Sequence, residues 1–126
     1  MIDSNVILSA IYKRYSKSAR AFHYVSQNHV LVLCDQIIEE CYDVVKRKFP
    51  QHIAVLDELL EELHISIGYE LVTTPQIELS MTDPYDTPIL NAAILADVDI
   101  LISSDEHFLA LCMERPKVLT PAQYMK

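Results

Sequence analysis

A three-layer α/β/α sandwich around a central parallel sheet is the fold class that this chain of 126 residues predicts. Two observations carry the prediction. The runs VLVLC (30–34) and DILIS (99–103) are apolar, bounded by polar residues, and long enough for buried strands only. Between such runs lie stretches with apolar residues at helical spacing. The resulting order is β-α-α-β-α-α-β-α-β-α-β-α, and this alternation implies parallel strands covered on both faces. Hydrophobic residues make up 51% of the chain, which suits a packed core. No repeat or linker divides it, so residues 1–126 are expected to form one domain.

Met1 to Asp3 reads as the end of a short first strand. Ser4 and Asn5 offer an N-cap for VILSAIYKRY, where Val6, Ile7, Ala10 and Ile11 recur at helical spacing. Ser18 to Gln27 reads as a second helix, broken by Asn28 and His29. After VLVLC, Asp35 is the expected N-cap of QIIEECYDVVKRKF. On a helical wheel Glu39 lies roughly 160° from the apolar stripe, and Glu40 about 100° away on its flank, from which it can reach a cleft. Pro50 opens QHIAVLDELLEELH, with Asp57, Glu58, Glu61 and Glu62 on a solvated face. Gly68 falls in the exit turn, YELVTT reads as a strand, and 76–82 is a connector. DPYDTP holds two prolines and forms a turn, with Asp83 a turn residue and Asp86 the N-cap of the helix ILNAAILA. DILIS follows as a strand, and Asp105 caps the short helix EHFLAL. PKVLT is the last strand, and Pro121 opens a terminal helical turn.

The composition excludes several classes. The single glycine, Gly68, rules out glycine-rich phosphate loops. Cys34, Cys41 and Cys112 are odd in number and widely spaced, as expected of reduced thiols in a cytoplasmic protein. No apolar window reaches the length of a membrane span, and no secretion signal opens the chain. The net charge of −8 argues against nucleic-acid binding by bulk charge.

That acidity has a candidate explanation in Asp3, Glu40, Asp86 and Asp105. Each aspartate alone reads as a helix cap, and Glu40 alone as a surface residue. In a doubly wound sheet, however, Asp3 and Asp105 emerge at the same C-terminal strand edge, where function collects. No lysine or arginine lies near the three aspartates in sequence. Two carboxylates about 4 Å apart repel by roughly 4 kcal/mol at an effective dielectric of 20. Several together must take up protons or hold a cation. An all-oxygen site favours Mg²⁺ or Mn²⁺ over Zn²⁺, and such ions suit phosphodiester hydrolysis. Lys13, Arg14, Lys17 and Arg20 end the first helical region, and Lys46, Arg47 and Lys48 end the one after VLVLC. Dipole complementation explains them, and Lys13, Arg14 and Arg47 are the candidate phosphate contacts. His107 beside Asp105 reads as a surface residue before an acid–base partner.

These residues carry a family resemblance. IDSNVILSA, with Asp3 before Ser-Asn, resembles the opening motif of PIN domains (PilT N-terminus nucleases). Glu40 in IIEECYDVVKRKF resembles their second acid, in the form Glu-x-x-x-Val-x-x-Arg. DPYDTPILNAA resembles the third, LISSDEHFL the fourth, and LTPAQYM the usual C-terminal end. The type it most resembles is the VapC-like toxin ribonuclease of toxin–antitoxin pairs. The resemblance implies a Mg²⁺- or Mn²⁺-dependent endoribonuclease with Asp3, Glu40, Asp86 and Asp105 as the acidic cluster. It also implies Ser103 as a hydroxyl lining the site and Asn5 as support for the loop after Asp3. RNA is the implied substrate, an antitoxin the implied partner, and a homodimer the frequent assembly. A rival reading is a PIN scaffold that is catalytically weak and binds proteins, favoured by the acidic balance and the short first strand. A receiver-type or phosphatase domain predicts a lysine near the acids or an acid-x-acid pair on the first strand, and neither is present.

Overall fold

In the computed structural model, residues 1–13, 15–66, 70–72, 87–111 and 113–125 are described. Seven α-helices and four strands occur among them: α1 (Ser4–Tyr12), α2 (Lys17–Asn28), β1 (Val32–Cys34), α3 (Asp35–Lys48), α4 (Ile53–Ser66), β2 (Glu70–Val72), α5 (Thr87–Leu95), β3 (Ile100–Ile102), α6 (Glu106–Leu109), β4 (Lys117–Leu119) and α7 (Pro121–Tyr124). A 3₁₀ turn, Pro50–His52, precedes α4.

Among the described residues all strand pairing is parallel, as the alternation predicts. β1 pairs with β2 in the register Val32 to Glu70 and Cys34 to Val72. β3 pairs with β4, Ile100 opposite Lys117 and Ile102 opposite Leu119. Ile2 joins β3 through a single bridge to Ile102. Its ladder is regular: the Met1 amino group donates to Ile100 O (2.8 Å), Ile102 N to Met1 O (2.9 Å) and Asp3 N to Ile102 O (2.9 Å). The described pairing thus forms two parallel groups, β1–β2 and Ile2–β3–β4, where the sequence suggested one continuous sheet. They share one core, in which Ile2, Leu33, Ile37, Leu56, Ile89, Leu101 and Phe108 are fully buried.

The strands are shorter than their apolar runs. Val30 is 76% exposed, so the run VLVLC enters the core only from Leu31 onward. Helix boundaries also move. Asn28 closes α2 from inside, its amide donating to Tyr24 O (3.0 Å), instead of breaking it. Asp35 is the first residue of α3 and Cys34 its N-cap; the Asp35 carboxylate turns back to the Gln36 N–H (2.9 Å). The last helix begins as expected, with Pro121 in its first turn and a reciprocal cap between Thr120 and Gln123.

The end of α5 shows how a chain with one glycine makes a tight helix exit. Asp97 takes the left-handed conformation, φ 55°, that glycine usually supplies. Val98 N donates to Ala93 O (3.2 Å) and Asp97 N to Ile94 O (3.0 Å), the two bonds of a Schellman motif. Arg115 clamps the turn, bonding the Asp97 carboxylate (2.8 Å), the Asp97 carbonyl (3.1 Å) and the Asp99 carboxylate (2.8 Å). The turn delivers β3 to the core and so sets where Ser103 and Asp105 emerge.

Candidate active site

Asp3 is the centre of the site. It follows the Ile2 bridge directly and caps α1: the Ser4 N–H donates to Asp3 Oδ1 (2.8 Å), while the Asp3 carbonyl receives Val6 N (3.1 Å). The residue is 3% exposed. Its other oxygen, Oδ2, accepts the Ser103 hydroxyl (2.9 Å) from the end of β3. The same hydroxyl oxygen accepts the Asp105 N–H (3.0 Å). Ser103, fully buried, therefore ties two of the predicted acids together, one at each of its own hydrogen-bonding valences.

Glu40 comes from α3, half-buried on the helix flank where the wheel placed it, while Glu39 is exposed. The Ser4 hydroxyl donates to Glu40 Oε2 (2.8 Å) and lies 3.5 Å from Asp3 Oδ1. Gln36, one turn earlier on α3, donates from Nε2 to Glu40 Oε1 (3.2 Å). Asp105 caps α6 through the His107 N–H (2.8 Å), and the His107 ring nitrogen Nδ1 lies 3.2 Å from the same oxygen. His107 sits on the exposed side of that turn.

Electrostatics show that the acids share one environment. Burial first, and then the negative charges of Glu40 and Asp105, push the Asp3 carboxyl up to about 6; its hydrogen bonds from Ser103 and Ser4 pull the other way. Cys41, in the core one residue past Glu40, has its thiol pushed up to about 12 by burial, then by Glu40 and Asp3. It is a neutral thiol at ordinary pH and not a nucleophile.

Of the predicted site residues, Asp3, Glu40, Asp105 and Ser103 meet at one edge. Asp86 and Arg14 lie outside the described residues. Asn5 is exposed in the first turn of α1, and its neighbour Ser4 is the residue whose side chain reaches Glu40. Lys13 ends α1 about 15 Å along the helix from Asp3, and Arg47 lies about 10 Å along α3 from Glu40. Both are exposed, and Arg47 pairs with Asp43 (3.2 Å). Neither is at the carboxylates. The sequence pointed to Ser4 only as an N-cap, a place that Asp3 takes, and passed over Gln36. The signal for Gln36 was its i, i+4 spacing to Glu40, which makes the two neighbours on a helix surface.

Among the described residues no three His, Cys, Asp or Glu side chains close into a group that could hold a metal ion. The donor chemistry nonetheless fits a hard divalent cation. Its oxygens belong to carboxylates, two of them raise the proton affinity of the third, and the nearby thiol stays protonated. A groove of about 350 Å³ is lined by Ile2, Val30, Val32, Ile100, Ile102 and Tyr124, and none of Asp3, Glu40 and Asp105 lines it.

A PIN domain family model matches residues 1–107, and the chain belongs to the PIN domain family. The α/β fold with parallel strands agrees with it, and a nuclease-type, hydrolytic function is the coarse class that membership gives. A search of curated proteins finds no match. Among the described residues no helix is long and apolar enough to cross a membrane.

Replacing Ser103 by alanine tests the coupling. It leaves Asp3 Oδ2 without its donor and the Asp105 N–H without its acceptor, at an expected cost of about 1–3 kcal/mol. The Asp3 titration midpoint, followed by carboxyl NMR, moves above its present value of about 6, because a bond that favours the charged form is gone.

Proposed function

We propose that the protein is a Mg²⁺- or Mn²⁺-dependent endoribonuclease, acting as the toxin of a toxin–antitoxin pair in the cytoplasm. The observation that carries the reading is Asp3: a buried carboxylate with two further acids acting on it. Asp3, Glu40, Asp86 and Asp105 would hold the cation. When bound, it supplies a water of lowered pKa and charge stabilisation at the phosphorus oxygens. The chain's own residues do the rest. Ser103 and Ser4 fix the orientation of Asp3 and Glu40, and α1 and β3 keep Asp3 and Ser103 out of water. Lys13 and Arg47, set back from the acids, would track the RNA phosphates, with Arg14 as a further phosphate contact. An antitoxin protein is the proposed partner, and a homodimer the proposed assembly.

Single-stranded RNA incubated with the protein and Mn²⁺ is expected to be cleaved, and chelation by EDTA to stop cleavage. Asp86→Asn is expected to lose at least a thousandfold in rate, a loss on the order of 4 kcal/mol of transition-state stabilisation. Cleavage that persists in EDTA or in Asp86→Asn removes the reading.

A further inference from the structure

Glu40 is unlike the aspartates around it. Asp3 and Asp105 are short side chains held by backbone N–H groups of the helices they cap. Glu40 projects from the flank of α3, five residues past its start, on a longer side chain with more rotamers to lose. A carboxylate in that position faces the site only if something holds it there.

Both of its oxygens are held. Ser4 occupies Oε2 from α1, and Gln36 occupies Oε1 from within α3. A carboxylate only accepts, so the Gln36 atom that meets it is the amide nitrogen. The chemical type matters. A lysine at this spacing would neutralise Glu40 and compete with a cation, and an acid would repel it. A neutral amide donates a hydrogen bond and leaves the negative charge of Glu40 available.

We propose that Gln36 is a positioning residue for the cation site, holding the Glu40 carboxylate beside Asp3 through its side-chain amide. The inference rests on the metal-dependent reading above. It assigns to Gln36 no contact with substrate. Groups that orient metal ligands in this way typically govern affinity by ten- to a hundredfold.

The test measures Mn²⁺ affinity of the full chain by electron paramagnetic resonance of the free ion, alongside thermal unfolding without metal. Gln36→Met keeps length and helix propensity and removes the donor; Gln36→Ala is the second variant. Both are expected to weaken Mn²⁺ binding at least tenfold with the metal-free unfolding temperature unchanged. Raising Mn²⁺ should restore RNA cleavage in Gln36→Met toward the unsubstituted rate, since the substitution acts on affinity. In a Glu40→Gln background, Gln36→Met should change Mn²⁺ affinity no further, because the two residues act as one unit. Unchanged affinity in both single variants overturns the proposal, and so does an undiminished effect of Gln36→Met in the Glu40→Gln background. Absence of Mn²⁺ binding by the unsubstituted protein instead overturns the metal-dependent reading and this inference with it, so the two failures are distinct.

Discussion

Asp3→Asn is expected to move function and stability in opposite directions. Mn²⁺ binding and RNA cleavage should both be lost, yet the metal-free protein should become more stable near pH 7.5. The reason is the burial of Asp3 among acids, which raises its carboxyl from the ordinary 3.8 to about 6. A folded-state value above the unfolded one means that the native protein binds this proton more tightly. The stability linked to it is therefore fully present below pH 3.8, and it is lost as pH rises through about 6. A rise of about two pH units corresponds to on the order of 3 kcal/mol, all of it withdrawn at neutral pH. Asparagine keeps the N-cap oxygen for the Ser4 N–H and carries no charge. Chemical denaturation from pH 4 to 8 checks this: the unsubstituted protein should lose stability between pH 4 and 6.5, and the variant should lack that slope. Added Mn²⁺ should stabilise the first at pH 7.5 and leave the second unmoved. A variant less stable than its parent at pH 7.5 would show that Asp3 serves the fold as a cap and that its charge is no burden.

How much of this was legible beforehand follows from how local each signal is. Asp3 and Asp105 sit where a strand run gives way to a helix, and both the cap and the sheet edge can be read from a few neighbouring residues. Glu40 came from a wheel, a calculation within one helix, and the structure places it on the flank as computed. What stayed hidden was non-local or needed a direction. Ser4 and Asn5 are adjacent and both polar. Which one turns inward depends on the approach of α3, thirty-six positions away, and Ser4 is the one that meets Glu40. Among the described residues the parallel pairing falls into two groups, because ladder partners depend on strand ends that periodicity does not locate. The αL turn at Asp97 was missed for a different reason. Glycine is the usual marker of such a turn, and here an aspartate clamped by Arg115 takes its place.

Phe108→Ala should produce the largest loss of stability of any substitution near the site, about 3–5 kcal/mol, with a drop in unfolding temperature on the order of 10–20 °C. The ring is fully buried, although it comes from a helix of only four residues. Such a turn cannot hold itself together by backbone bonds, since nucleation alone outweighs what one turn returns. Its place is set by Phe108 from below and by Asp105 and Ser103 from above: the Asp105 carboxylate takes the His107 N–H, and Ser103 takes the Asp105 N–H. Removing the ring should therefore let α6 open before the rest of the core does, carrying Asp105 away from Asp3. Hydrogen exchange should show Ala110 N–H, which bonds Glu106 O, losing protection to a far greater degree than amides of α2. Mn²⁺ affinity should fall even where the variant is still folded. Asp105→Ala separates the two contributions: it should remove the proposed cation ligand at a stability cost near that of a lost N-cap, about 1 kcal/mol. If Phe108→Ala keeps full Mn²⁺ affinity in its folded population, then α6 does not position Asp105. The acid at the end of β3 would keep its place without the turn, through contacts such as the Ser103 bond.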